Sequence, residues 1–133
     1  MIVLDASAVV ELLLNTDRGG LVRDRIADPA ESLHAPHLLS VEVAQVMRRY
    51  VLVSSIEPEI ATAALDDLAA LDVARYAHEP FLGRVWELRE NVTAYDAVYL
   101  ALAEVLDAPL LTFDERLAAT PAHVAEVELL APF

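Results

Sequence analysis

The sequence contains no cysteine and no lysine among its 133 residues, and only three glycines. Absence of cysteine excludes disulfides, thiolate-held zinc, iron–sulfur clusters and thiol catalysis, and it suits a reducing compartment. Absence of lysine leaves nine arginines as the whole basic complement, against 22 acids, for a net charge of −13. So acidic a chain lacks the general electrostatic pull toward nucleic acid that basic binders have. If it handles RNA or DNA, a divalent metal, an arginine patch or a basic partner must oppose the global charge locally. No apolar run reaches the ~18–20 residues needed to span a bilayer. The start, Met1-Ile-Val-Leu-Asp5, has neither a basic region nor a small-residue cleavage site. Neither a signal peptide nor a membrane anchor is therefore expected, and the expected location is the cytoplasm.

What is present is apolar: hydrophobic residues make up 56% of the chain, too many for a disordered protein. The length suits one domain, residues 1–133, built on one core. Met1–Leu4 reads as a buried strand, and Ser7 can cap a helix running to about Leu14. Gly19-Gly20 reads as a break before a second helix, Leu21–Ala27. Ser32–His34 is a short strand. Residues 37–53 form an amphipathic helix, with Leu39, Val43, Val46 and Tyr50 at spacings of three and four. Pro58 opens the next helix, which ends near Leu71. Then come a strand at Asp72–Tyr76, a helix at Pro80–Glu90, and a helix at Thr93–Leu106 that is apolar almost all round. A buried strand at Pro109–Thr112, a short helix at Asp114–Ala119 and an edge strand at Val124–Leu129 complete the chain. Strands alternating with helices predict an α/β sandwich on a mainly parallel sheet, with ligands beyond the carboxyl ends of the strands.

Four acids stand in apolar surroundings. Asp5 and Asp114 follow predicted strands. Glu42 has Leu38, Leu39 and Val46 as helical neighbours. Asp96 is the sole charged residue from Val92 to Ala103, where an isolated carboxylate costs several kcal/mol. Each admits a purely structural reading. Asp5 and Asp114 can be helix caps, Glu42 can reach water from the edge of its apolar stripe, and Asp96 can close a capping box with Thr93. Their joint placement suggests more, because a doubly wound topology can bring all four to one rim. Clustered carboxylates need a countercharge, and a hard divalent cation such as Mg²⁺ or Mn²⁺ supplies one through oxygen ligands.

The same residues carry a family resemblance. Ile2-Val-Leu-Asp5-Ala-Ser7-Ala, Ser40-Val-Glu42-Val-Ala, Thr93-Ala-Tyr-Asp96-Ala-Val-Tyr-Leu-Ala-Leu-Ala and Leu110-Leu-Thr112-Phe-Asp114-Glu-Arg-Leu resemble the successive acidic motifs of PIN-domain ribonucleases. In size the chain is most similar to the VapC toxins of bacterial VapBC toxin–antitoxin pairs. The resemblance implies a PIN-like three-layer α/β/α sandwich and a metal-dependent endoribonuclease. It implies Asp5 and Asp96 as the principal Mg²⁺ (or Mn²⁺) ligands, with Glu42 and Asp114 completing the pocket directly or through water. Ser7 and Thr112 match hydroxyl positions that orient a ligand or water, and Arg116 is a candidate phosphate contact. An RNA substrate, a VapB-type antitoxin and a homodimer are the implied partners. Attack by water rather than by the 2′-OH would leave 5′-phosphate and 3′-hydroxyl ends. Total absence of lysine departs from the usual family composition.

Other signals are weaker. His34 and His37 are spaced as the start of a metal site could be, but no cysteine or second histidine pair supports one, and with His78 and His123 they are expected to be structural or solvated. Arg48-Arg49 suits the carboxyl end of its helix, while Arg18, Arg23 and Arg25 are further phosphate-binding candidates. Two rival functions remain. A receiver-like phosphotransfer domain also gathers acids around Mg²⁺ but normally needs a lysine. A non-catalytic interaction module with a PIN-like fold would use the acids as caps only. An Asp-x-Asp phosphohydrolase is excluded by Ser7.

Overall fold

A computed structural model describes residues 1–130; the last three residues of the expected domain lie outside the described region. Five short strands, β1 (Ile2–Leu4), β2 (Leu33–Pro36), β3 (Val73–Tyr76), β4 (Leu110–Thr112) and β5 (Val127–Leu129), form one sheet in the order β3-β2-β1-β4-β5. Every pairing is parallel. Parallel strands need crossovers, and here helices supply them on both faces. The helices are α1 (Ala6–Leu13), α2 (Asp17–Arg25), α3 (Leu38–Leu52), α4 (Pro58–Ala70), α5 (Leu82–Glu87), α6 (Ala94–Leu106) and α7 (Glu115–Ala118), with a 3₁₀ turn at Glu79–Phe81.

Alternation along the strands divides the interior. Ile2 and Leu4 point to one side with Leu111, where they meet Val9, Leu39, Val43 and Leu68 from α1, α3 and α4. Val3 and Leu110 point to the other, against Val85 of α5 and Leu100 and Ala103 of α6. This is the three-layer α/β/α sandwich. α6 is buried along seven consecutive residues, Ala97–Ala103, which explains its all-round apolar sequence.

Three local expectations need correction. The cap of α1 is Asp5, whose Oδ1 accepts from Ala8 N at 3.0 Å, and not Ser7. Ser7 lies inside the first turn, and its hydroxyl is engaged elsewhere. Gly19 and Gly20 do not break the chain. α2 starts earlier, at Asp17, capped by Thr16, and contains both glycines. Packing overrides propensity here, because a Cβ on Gly19 would lie 2.2 Å from the Glu11 carbonyl oxygen. Only glycine lets α1 and α2 approach so closely. The region expected as one helix from Pro80 is the 3₁₀ turn followed by the short α5.

β1 is the switch point of the sheet. The chain steps outward from it to β2 and β3, then returns to its other side with β4. At such a point the loops diverge and leave a crevice beyond the strand ends. Asp5 directly follows β1, and Asp114 follows β4 by one residue. α3 leaves from the same end of β2, and α6 starts there before running back to β4.

Candidate metal centre

Asp5 is the best-defined part of the crevice. It is 6% exposed, and both carboxylate oxygens are held. Oδ1 accepts from Ser7 Oγ at 2.7 Å as well as from Ala8 N, and Oδ2 accepts from Thr112 Oγ1 at 2.5 Å. The two hydroxyls are fixed in turn by backbone amides. Ser7 Oγ accepts from Phe113 N at 2.9 Å, and Thr112 Oγ1 accepts from Asp114 N at 2.9 Å. Each hydroxyl proton is therefore directed at Asp5, so the 3.3 Å approach of Ser7 Oγ to Thr112 Oγ1 adds little. Ser7 and Thr112 act on Asp5, tying the end of β1 to the end of β4.

Asp114 caps α7, with Oδ1 accepting from Arg116 N at 2.9 Å and from Leu117 N at 3.4 Å. Its capping role is real, as is that of Asp5, and each cap leaves carboxylate lone pairs free. Asp96 lies in the first turn of α6. Thr93 Oγ1 accepts from Asp96 N at 3.3 Å, which is one half of a capping box. The reciprocal bond from the Asp96 carboxylate is absent among the described residues.

Glu42, on α3, was expected at the edge of an apolar stripe and is half-buried there. Its carboxylate Oε1 accepts a 2.6 Å bond from Tyr99 Oη. Tyr99 is 1% exposed and sits three residues beyond Asp96 on the same face of α6. Sequence reasoning missed it as a site residue. The signal was available: a tyrosine inside a helix core must find a partner for its hydroxyl.

The electrostatics join the four acids. Burial pushes the Asp5 carboxyl up, Thr112, Ser7 and the Ala8 amide pull it down, and Asp114 pushes it up again. Glu42 is raised by burial, opposed by Tyr99, and raised further by Asp96 and Asp5. Asp96 is raised by burial and by Asp114, with Arg116 opposing. Tyr99 is driven far above the usual phenol range by burial and by Glu42, so it remains a donor. Each acid thus feels another, and the exposed Arg116 opposes the effect at Asp96. Among the described residues, however, no three His, Asp or Glu side chains close tightly enough to cage a metal by themselves. The donor set still fits Mg²⁺ or Mn²⁺. All the donors are hard oxygens, their charges lack balance, and Mg²⁺ usually keeps several waters and takes only one or two carboxylates.

Three of the four histidines have hydrogen-bond partners. His34 is 2.7 Å from both Ser32 Oγ and Tyr76 Oη, His78 Nε2 accepts from Leu38 N, and His123 Nδ1 accepts from Ala125 N. No helix among the described residues is long and apolar enough to cross a membrane.

Comparison with known proteins bears on family and fold. Residues 2–122 match the PIN domain family profile. Ribonuclease VapC1 of Mycobacterium tuberculosis is 46% identical over 129 residues, 96% of each chain. Ribonuclease VapC12 of the same organism is 42% identical over 131 residues, 98% of this chain and all of the relative. Among solved structures, M. tuberculosis VapC20, described as a sarcin-ricin loop cleaving toxin, superposes with a TM-score of 0.69 at 16% identity. That match spans 93% of this chain and 97% of the other. A chain of VapBC2 from Rickettsia felis, solved bound to a DNA fragment from its promoter, gives 0.71 at 15% identity over 98% and 100%. At such identities the two superpositions speak for the fold alone.

Proposed function

The chain belongs to the PIN-domain family, and from that premise we propose that it is a metal-dependent endoribonuclease, the toxin half of a toxin–antitoxin pair. What supports this reading is that Asp5, Glu42, Asp96 and Asp114 influence one another electrostatically near the switch point, each of the first three being raised by burial and by a neighbouring acid. The names of the similar ribonucleases support the activity.

Asp5 and Asp96 are the principal candidates to hold Mg²⁺ or Mn²⁺, and Glu42 and Asp114 complete the hollow. When bound, the ion supplies the positive charge that the hollow and an incoming phosphodiester both need, and it makes water more acidic. The protein does the positioning. Ser7 and Thr112 hold Asp5 in one orientation, each aiming its hydroxyl proton at the carboxylate. Tyr99 holds Glu42. Arg116, at the rim, is placed to meet a phosphate oxygen. Attack by water on phosphorus forms one P–O bond and breaks the bond to O3′, which leaves as a hydroxyl. The products are 5′-phosphate and 3′-hydroxyl ends. Water, and not the 2′-OH, is the nucleophile in this route, so cyclic phosphate ends would contradict it.

The partners follow from the same reading: RNA as substrate, a VapB-type antitoxin that covers the acidic hollow with basic residues, and a second copy of this chain. A site in the cytoplasm and a single domain over the whole length complete the proposal. The experiment is Asp96→Asn. Loss of ribonuclease activity and weaker Mn²⁺ binding, with circular dichroism unchanged, supports the reading. Full activity in the variant overturns it.

A further inference from the structure

Beside the acidic hollow, and sharing Ser7 and Asp114 with it, lies a cavity of about 230 Å³ between α1, the start of α2 and α3. Its walls carry two arginines and two aromatic rings: Arg18, Arg49, Tyr50 and Phe113. The Arg18 guanidinium carbon lies 4.2 Å from the centre of the Phe113 ring. That of Arg49 lies 5.8 Å from the centre of the Tyr50 ring. Glu11 also lines the cavity, but its charge is engaged. It accepts from Thr16 Oγ1 at 2.5 Å and pairs with Arg18 at 3.4 Å. Arg18 Nε is buried without a partner. Arg49 is exposed and makes no ion pair among the described residues.

We propose that this cavity is a nucleotide subsite, in which the exposed Arg49 binds the phosphate next to the scissile one and Tyr50 offers ring surface to its base, while the buried Phe113 and the Glu11-paired Arg18 form its floor. The inference rests on the ribonuclease reading and deepens it. Charge economy favours it. A chain of −13 has nine arginines in all, and two of them border the cavity while a third, Arg116, acts on Asp96 in the neighbouring hollow. Arginine with aromatic rings is the combination that binds single-stranded nucleic acid without strong sequence preference.

The test uses a fluorescein-labelled single-stranded oligoribonucleotide and the Asp96→Asn protein, so that binding is read without cleavage. Anisotropy gives Kd between about 50 and 200 mM salt. Arg49→Gln should weaken binding about tenfold and flatten the slope of log Kd against log salt by about 0.7, the value for one lost single-strand phosphate contact. Arg49→Lys should restore the slope. Arg48→Gln, on the α4 side of the same helix, should match the parent. In otherwise wild-type protein, Arg49→Gln should raise KM more than it lowers kcat. The proposal fails if Arg49→Gln cannot be told from Arg48→Gln in Kd and slope. It also fails if Arg49→Gln leaves RNA binding intact but weakens binding of a purified antitoxin, which would make the cavity a protein seat. Loss of the ribonuclease reading would look different: the unmutated chain would cleave no RNA in Mn²⁺, while the anisotropy series would still judge the cavity.

Discussion

Thr112 Oγ1 donates to Asp5 Oδ2 across 107 positions of sequence, joining the ends of two adjacent parallel strands at the centre of the sheet. Thr112 is fully buried, and the same oxygen receives the Asp114 amide. One hydroxyl therefore orients one acid and anchors the turn that presents another.

Thr112→Val removes that hydroxyl at nearly constant volume. Asp5 then loses a bond that lowers its pKa, so a smaller fraction is ionised at a given pH. The acidic limb of the pH–activity profile should move to higher pH, and stability at neutral pH should fall by about 2 kcal/mol. An unshifted profile would mean that Thr112 serves the fold alone.

Tyr99→Phe leaves the ring in the core and deletes the one donor to Glu42 seen among the described residues. Glu42 loses the bond that opposes its desolvation. Mn²⁺ affinity should drop severalfold at pH 6 and recover as pH rises and Glu42 ionises. Isothermal titration at two pH values checks this, and an equal loss at both would count against it.

Asp96→Asn should stabilise the metal-free protein. The raised pKa of Asp96 means that the native state binds its proton more tightly than the unfolded chain does. The ionised form then costs stability, in full above the folded pKa and not at all below the ordinary carboxylate value. With chelator present at neutral pH, the variant should melt about 2–5 °C higher than wild type. The gap should close as pH falls through the folded pKa. A gap that widens on acidification would reverse the sign and refute the argument.

Gly19→Ala should destabilise by about 1–3 kcal/mol, because the added methyl meets the Glu11 carbonyl, a backbone atom with little room to move. Gly83→Ala in α5 is the control. A methyl group added there would have nothing within 4 Å, and the variant should gain about 0.5–1 kcal/mol from helix propensity. Urea denaturation of both variants separates the close approach of α1 and α2 from a general effect of losing glycine.

Legibility from sequence followed the range of the interactions. Asp5, Glu42, Asp96 and Asp114 stood out because an acid in an apolar run is costly, and that cost is visible locally. The alternation that sends Ile2 and Val3 to opposite faces is likewise written in neighbouring residues. The parts that escaped depend on partners far along the chain. Ser7 reads as a cap until Phe113 N, 106 positions away, is seen bonded to its hydroxyl. Tyr99 reads as core until Glu42 is found 57 positions back. Gly19 reads as a break because its reason for being glycine is a carbonyl on the preceding helix. The arginine-and-aromatic cavity draws on α2, α3 and the turn after β4, and no spacing announces it.

Thermal unfolding under Mg²⁺ titration tests the central claim, a shared acidic hollow that takes a divalent ion in the native state. Binding to the native state raises Tm as RT ln(1 + [Mg²⁺]/Kd) requires. Wild type should melt progressively higher as Mg²⁺ rises from micromolar to about 10 mM, and Asp96→Asn should lose most of that rise. A wild-type Tm that stays flat across the whole range, or a rise retained in full by Asp96→Asn, would contradict the account.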